Sequence, residues 1–420
     1  MKTQIEYAKD GTVTSGMKRI AKTENIDPEV LKDDIAEGKT VIMARSNHLC
    51  GIGRGLTTKI NVNIGTSSAS IHKEKEVEKA RIAEAYGADT ITDLSMGGDI
   101  TGIRKQIQSN TSVPLTTVPI YQCVAEHSLN NLTTGDLLAQ IEEHVKEGIS
   151  SIVLHFITPQ LLRQLKTSNR IFAMVSKGGS FTSLYMLKNN TTNPYLEHFD
   201  EILQMLKEKD VILSLGNTLR SGCIHDTPDE MQKQEIKLNA ALAKRANDSC
   251  VQVIIEGMGG HIAPAHITEH VKYQKQIANR PLFVSGPLPT DIAIGYDHIA
   301  ASIGAAMASG AGADYLCMIT PAEHLCLPDV EHIKEGLTAF KIAAHIGDSI
   351  KYSPSDSDKQ LAIHRSQLNW EQQLCYAIEP LKPRQLYPRD GKCTMCGKYC
   401  AVKTMKNYLE QPCNDLDCNS

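Results

Sequence analysis

Aromatic residues are scarce, 5% with a single tryptophan in 420 positions, which argues against a core of bulky interdigitating strands. No excess of either charge stands out. Forty-four Lys and Arg face 48 Asp and Glu, a formal charge of −4, so the basic domain or stripe of a nucleic-acid footprint is missing. No apolar run reaches the ~18 residues that span a bilayer. The opening stretch, MKTQIEYAKDGTV, lacks the apolar centre of a signal peptide. Internal repeats and low-complexity tracts are also missing. The expectation is a cytoplasmic protein with no membrane or nucleic-acid partner.

What is present points to a well-packed α/β chain. Hydrophobic residues make up 41% and charged residues 22%, ample for a core. The 29 glycines favour close approach of helices to a sheet. The 12 cysteines are unusual, and without an export signal they do not suggest a disulfide framework. Five of them, Cys393, Cys396, Cys400, Cys413 and Cys418, fall in the last 28 residues. Most of the others fit small buried thiols.

Eight short apolar runs rich in β-branched residues recur at Thr90–Ser95, Val113–Ile120, Ser151–Phe156, Arg170–Ser176, Val211–Gly216, Val251–Gly257, Pro281–Gly286 and Asp314–Thr320. Near-continuous hydrophobicity over so few residues predicts parallel strands buried on both faces. Between them lie helical patterns, as in Glu197–Lys209, where Phe199, Ile202, Leu203 and Leu206 share one stripe. Met231–Ala246 and Val330–His345 behave alike. Eight strands alternating with helices over ~250 residues predict a (β/α)8 barrel, with a doubly wound sheet as the alternative. The expected domains are residues 1–70, an N-terminal domain; 71–350, the barrel; and 351–420, a C-terminal helical segment with the cysteine motif.

Polar and glycine residues cluster at the ends of these runs, where barrel enzymes carry their chemistry. Ser176-Lys177-Gly178 and Asn217-Thr218-Leu219-Arg220 read as anion-binding turns: glycine permits close backbone approach, and Arg220 can clamp a phosphate or carboxylate. His261 and His298 follow two different strands and could share a divalent metal, with Glu256 and Asp297 nearby, or could be hydrogen-bonded structural histidines. His324 is given no metal role. In the tail, Cys393-x2-Cys396-x3-Cys400 gathers soft ligands suited to zinc or an iron–sulfur cluster. A zinc ribbon using Cys413 and Cys418, and an open four-iron cluster on the first three thiolates, both remain possible from spacing alone.

From Gly51 to Cys400 the chain resembles the phosphomethylpyrimidine synthases of thiamine biosynthesis and their paralogues, the 5-hydroxybenzimidazole synthases of anaerobic cobalamin biosynthesis. The resemblance rests on NVNIGTSS, DLSMGGDI, TVPIYQ, SKGGSF, NPYLEHFDE, LSLGNTLRSGC, GPLPTDIAIGYDHI, TPAEHL and CTMCGKYC. It implies a (β/α)8 barrel with flanking domains and a homodimer. It also implies a radical S-adenosylmethionine lyase of the carbon–carbon type acting on 5-aminoimidazole ribonucleotide with an external electron donor. Cys393, Cys396 and Cys400 would hold a 4Fe-4S cluster with S-adenosylmethionine on the open iron. His261 and His298 would hold zinc or iron(II). Asn63, Tyr121, His155, Ser176, Lys177, Gly178, Asn217, Thr218, Leu219, Arg220 and Glu256 match substrate-contacting positions.

Departures from the family pattern are concentrated in the pocket. Thr92 stands for Met, Phe283 for Tyr, Asn217 for Asp and Lys177 for Arg, while EGPGH has become EGMGGH and the last cysteine spacing is one residue short. These changes favour the 5-hydroxybenzimidazole product, with the thiamine pyrimidine as the alternative. A non-catalytic metal-binding paralogue, acting as a partner subunit, is the second alternative.

Overall fold

A computed structural model describes residues 2–226, 228–257, 259–387 and 393–409. Met258 of EGMGGH, Cys413 and Cys418 lie outside them. Two compact units divide the chain, Met1–Tyr352 and Ser353–Ser420.

In the first unit an antiparallel hairpin of β1 (Thr40–Arg45) and β2 (His48–Gly53) precedes eight parallel strands. These are β3 (Lys59–Ile64), β4 (Thr90–Asp93), β5 (Leu115–Thr117), β6 (Ser151–His155), β7 (Ile212–Gly216), β8 (Val253–Glu256), β9 (Leu282–Ser285) and β10 (Tyr315–Cys317). They pair in sequence order, and β10 closes on β3, so the sheet is a complete barrel without a free edge. The barrel reading is thereby shown and the doubly wound sheet excluded.

Seven of the eight expected runs form barrel strands, but Arg170–Ser176 does not. Its backbone donors go elsewhere: Ile171 and Phe172 donate their N–H groups to the Asp226 carboxylate at 2.8 and 2.9 Å. Ile171, Phe172 and Val175 are exposed, and β6 pairs directly with β7, leaving no gap for another strand. The missing strand is β3, inside the segment assigned to an N-terminal domain. Its sequence KINVNI alternates, with Ile60, Val62 and Ile64 in the core between sheet and helices. Asn61 and Asn63 turn to the barrel interior, where both reach the Cys317 sulfur. An inward face of asparagines breaks the continuous hydrophobicity that revealed the other strands.

The hairpin closes the N-terminal end of the barrel. Val41, Met43, Cys50 and Ile52 pack against Ile212, Ile254 and Tyr315 in one apolar cluster. Gln252 stitches the two together, accepting from Ile42 N at 2.8 Å and donating to Ile42 O at 3.3 Å. Helices Gln4–Lys9, Ser15–Glu24 and Pro28–Ala36, capped by Thr3, Thr14 and Asp27, contribute the neighbouring cluster, which includes Ile42. With that end sealed, the other end is where a ligand can enter. The expected stripe Phe199, Ile202, Leu203 and Leu206 is buried on the helix Phe199–Glu208.

The second unit is helical, with Asp356–Ser366, Trp370–Cys375, Leu381–Leu386 and Ala401–Leu409. A 3-10 turn, Gly397–Tyr399, separates Cys396 from Cys400. Among the described residues no helix is long and apolar enough to cross a membrane.

Candidate active site

One cavity at the C-terminal ends of the strands is lined by Asn63 of β3, Tyr121 of the helix Pro119–Asn131 after β5, His155 of β6, Asn217 and Arg220 after β7, and Glu256 of β8. Six of the residues expected from sequence therefore meet in one place. Thr92, Phe283, Ser285 and Cys317 complete its floor and wall.

His155 sits between two glycines. A Cβ on Gly178 would lie 2.3 Å from its Cε1, and one on Gly216 would lie 2.8 Å from its Cδ2. No other residue type leaves room for the ring. Burial, with Arg220 adding to it, pushes the His155 pKa down to about 3, so the imidazole is neutral. Its Nδ1 is buried without a hydrogen-bond partner, a poised group of the kind a ligand satisfies. Burial pushes the Tyr121 phenol up to about 12, keeping it a donor. Glu256 accepts from Ser214 Oγ at 3.0 Å, and burial raises its pKa.

The remaining expected residues act around this cavity. Ser176 caps the helix Lys177–Asn189, accepting from Gly179 N at 3.1 Å. Lys177 Nζ lies 5.3 Å from the Tyr121 ring centroid. Arg220 donates from NH1 to Asn217 O at 3.1 Å, which folds the turn back on itself. Leu219 points its side chain into an apolar cluster with Ile157, Leu162 and Met231, and Thr218 is fully buried. Neither lines the cavity, and the backbone N–H groups of both donate to Glu235.

Sequence reasoning overlooked the floor. Asn61 Oδ1 accepts from Thr90 at 3.0 Å, Thr92 at 2.8 Å and Tyr315 at 3.3 Å. Its Nδ2 donates to Asn63 Oδ1 at 2.8 Å, which orients Asn63, and Asn63 in turn donates to Cys317 Sγ at 3.1 Å. Burial pushes the Cys317 thiol up to about 12. Phe283 stacks on Tyr315 with centroids 4.1 Å apart. Thr92 and Phe283, two of the departures read as re-lining the pocket, are thus integrated into the barrel floor.

The histidine pairing differs from the expected one. His261 Nε2 lies 3.2 Å from His324 Nε2, whereas His298 Nε2 faces Glu335 at 3.9 Å and its buried Nδ1 has no partner. His324 reaches this position from the loop after β10, a closeness that spacing along the chain does not reveal. Each paired histidine is backed by a carboxylate on its other nitrogen: Asp291 at 2.6 Å from His261 Nδ1, and Asp297 at 3.3 Å from His324 Nδ1. Two nitrogens about 2.1 Å from one tetrahedral ion lie roughly 3.4 Å apart, so the pair fits a single zinc-like ion with the usual carboxylate backing. No group of three or more His, Cys, Asp or Glu suited to a metal occurs among the described residues, so such an ion would keep open positions.

In the second unit Cys393, Cys396 and Cys400 are all free thiols at least partly accessible. The turn closes through Gly397 N to Cys393 O at 3.2 Å and Tyr399 N to Cys396 O at 3.0 Å. Gly397 has φ +52, a left-handed position. The three thiols lie along one short turn without being gathered into a metal-binding group; their number and softness are what a cluster with three thiolate ligands needs.

Closed barrel, polar cavity at its C-terminal mouth and separate thiolate triad together define a barrel enzyme with an iron–sulfur motif. The chain belongs to the radical SAM ThiC family, whose model matches residues 3–407. It is 44% identical over 425 residues to the phosphomethylpyrimidine synthase of Thermoanaerobacter sp. (strain X514), covering 97% of this chain and 98% of that one. The enzyme of that name from Dehalococcoides mccartyi (strain CBDB1) is 44% identical over 424 residues with the same coverage, 97% and 98%. That from Pyrococcus furiosus is 41% identical, again covering 97% and 98%. Membership implies S-adenosylmethionine and an iron–sulfur cluster. The 5-hydroxybenzimidazole choice gains no support from these relatives; they favour the thiamine-pyrimidine alternative.

Proposed function

We propose that this protein is a phosphomethylpyrimidine synthase that rearranges 5-aminoimidazole ribonucleotide into hydroxymethylpyrimidine phosphate. The observation that carries the reading is the cavity itself. Arg220, His155 and the half-buried Glu256 converge there, in a chain matched over 97% of its length by relatives of that name.

In this reading Arg220 binds the substrate phosphate through charge-assisted hydrogen bonds. Neutral His155 offers a ring nitrogen to a ribose hydroxyl, and Tyr121 and Asn63, which line the same cavity, fix the nucleotide beside it. Glu256 receives the amine of the imidazole. A 4Fe-4S cluster on Cys393, Cys396 and Cys400 supplies, when bound, the electron that splits S-adenosylmethionine into methionine and a 5′-deoxyadenosyl radical. The barrel contributes orientation and exclusion of water from the reacting nucleotide. His261 and His324 would hold zinc or iron(II). An external one-electron donor and a homodimer belong to the same reading.

The test is product identity. Anaerobically reconstituted protein, incubated with 5-aminoimidazole ribonucleotide, S-adenosylmethionine and a strong reductant, should yield hydroxymethylpyrimidine phosphate by mass. Formation of 5-hydroxybenzimidazole, or of no product, would overturn the assignment.

A further inference from the structure

Beneath the Asn217–Arg220 turn lies a carboxylate that does not itself line the cavity. Glu235, on the helix Glu230–Asp248, is 1% exposed. Its Oε2 accepts from Leu219 N at 3.0 Å and from Asn217 Nδ2 at 2.9 Å, and its Oε1 accepts from Thr218 N. Three donors of one turn thus converge on one side chain. Asn217 passes the constraint on: its Oδ1 accepts from Gly259 N at 3.3 Å, and its carbonyl accepts from Arg220.

We propose that Glu235 is a positioning residue that, as a carboxylate, holds the Asn217–Arg220 turn in the form that presents Arg220 to the substrate's phosphate. The phosphate assignment rests on the proposed function; the support of the turn by Glu235 does not. A carboxylate accepts from all three donors with full charge, whereas a protonated acid accepts more weakly and carries a proton for which the three donors of the turn offer no acceptor. Burial pushes Glu235 up to about 7, against the opposing pull of the hydrogen bonds from Leu219 and Thr218 and of the Arg170 charge. Arg170 is the charged group facing it from the neighbouring loop, and is itself tied to Asp229 at 2.5 Å and to Leu219 O at 2.9 Å. Substrate binding is therefore linked to pH through a residue that never meets substrate.

The experiment compares wild type with Glu235→Gln in the full-length protein. Each is titrated with 5-aminoimidazole ribonucleotide at pH 8 and pH 6, and amide hydrogen exchange is followed across residues 215–222. At pH 8 the variant should bind about tenfold more weakly or worse, the loss carried by a hydrogen bond to a charged group. Exchange in that segment should quicken while β6 and β8 stay protected. Between pH 8 and 6 the wild type should lose more affinity than the variant, because titration of the phosphate is common to both and the carboxylate is not. Equal affinity and equal exchange at pH 8 would overturn the proposal. If Glu235→Gln fails to fold, Glu235→Asp keeps the charge but withdraws it by one methylene from the three donors, and should also quicken exchange across residues 215–222; unchanged exchange there would contradict the proposal. Failure of the wild type to bind the nucleotide would count against the proposed function, and the exchange result would then decide the role of Glu235 alone.

Discussion

At the scale of single residues, the site is built by what glycine leaves out as much as by what polar groups bring. Gly178→Ala would drive a methyl into the His155 ring, with a cost of about 1–3 kcal/mol for overpacking and a strong loss of nucleotide affinity, both readable by urea unfolding and calorimetry. The low pKa of His155, about 3, has a signed consequence. Between that value and the ordinary 6.5 the unfolded chain takes up a proton that the native ring refuses. Its contribution to stability is present above pH 6.5 and is lost as the pH falls through that window. The Cε1 proton resonance of His155 should accordingly show no titration from pH 8 to 5. His324 separates what sequence can and cannot reveal. Strand-end position made His155 and Glu256 legible, because a parallel barrel sends those positions to one mouth, whereas Asn63 came only with the family resemblance, its strand having gone unread. The facing of His261 and His324 is a property of two loops, and no spacing encodes it. His261→Ala and His324→Ala should each lower bound zinc, measured by elemental analysis, whereas His298→Ala should leave it unchanged; a loss only with His298→Ala would restore the original pairing.

The barrel's elements show the same division. Seven strands were readable because each is a short buried run rich in apolar and β-branched residues, and β3 was not, because Asn61 and Asn63 line its inner face. Arg170–Ser176 deceived for the opposite reason: its residues have strand character, but Asp226 satisfies its N–H groups. Asn61 is the clearest test of the polar interior. Replacing it by Leu strands the hydroxyls of Thr90, Thr92 and Tyr315, and should cost about 2–4 kcal/mol in urea unfolding at an unchanged m value. The cysteine turn is the second element with a sharp expectation. Ala at Cys393, Cys396 or Cys400 should abolish iron–sulfur absorbance, since each removes a ligand, whereas Cys375→Ala should not.

For the whole molecule, the division at Tyr352 and Ser353 separates the substrate cavity from the thiolate triad. A chain ending at Tyr352 should keep the barrel's cooperative unfolding and its nucleotide affinity, yet show no iron–sulfur absorbance and release no 5′-deoxyadenosine. The central claim is that the barrel cavity presents the ribose of an aminoimidazole nucleotide to a radical drawn from S-adenosylmethionine. Supplying the reconstituted enzyme with 5-aminoimidazole ribonucleotide deuterated on the ribose, and weighing the 5′-deoxyadenosine formed, tests it most directly. Deuterium carried into 5′-deoxyadenosine is the expected result; 5′-deoxyadenosine without label, from a fully ribose-deuterated substrate, would contradict it.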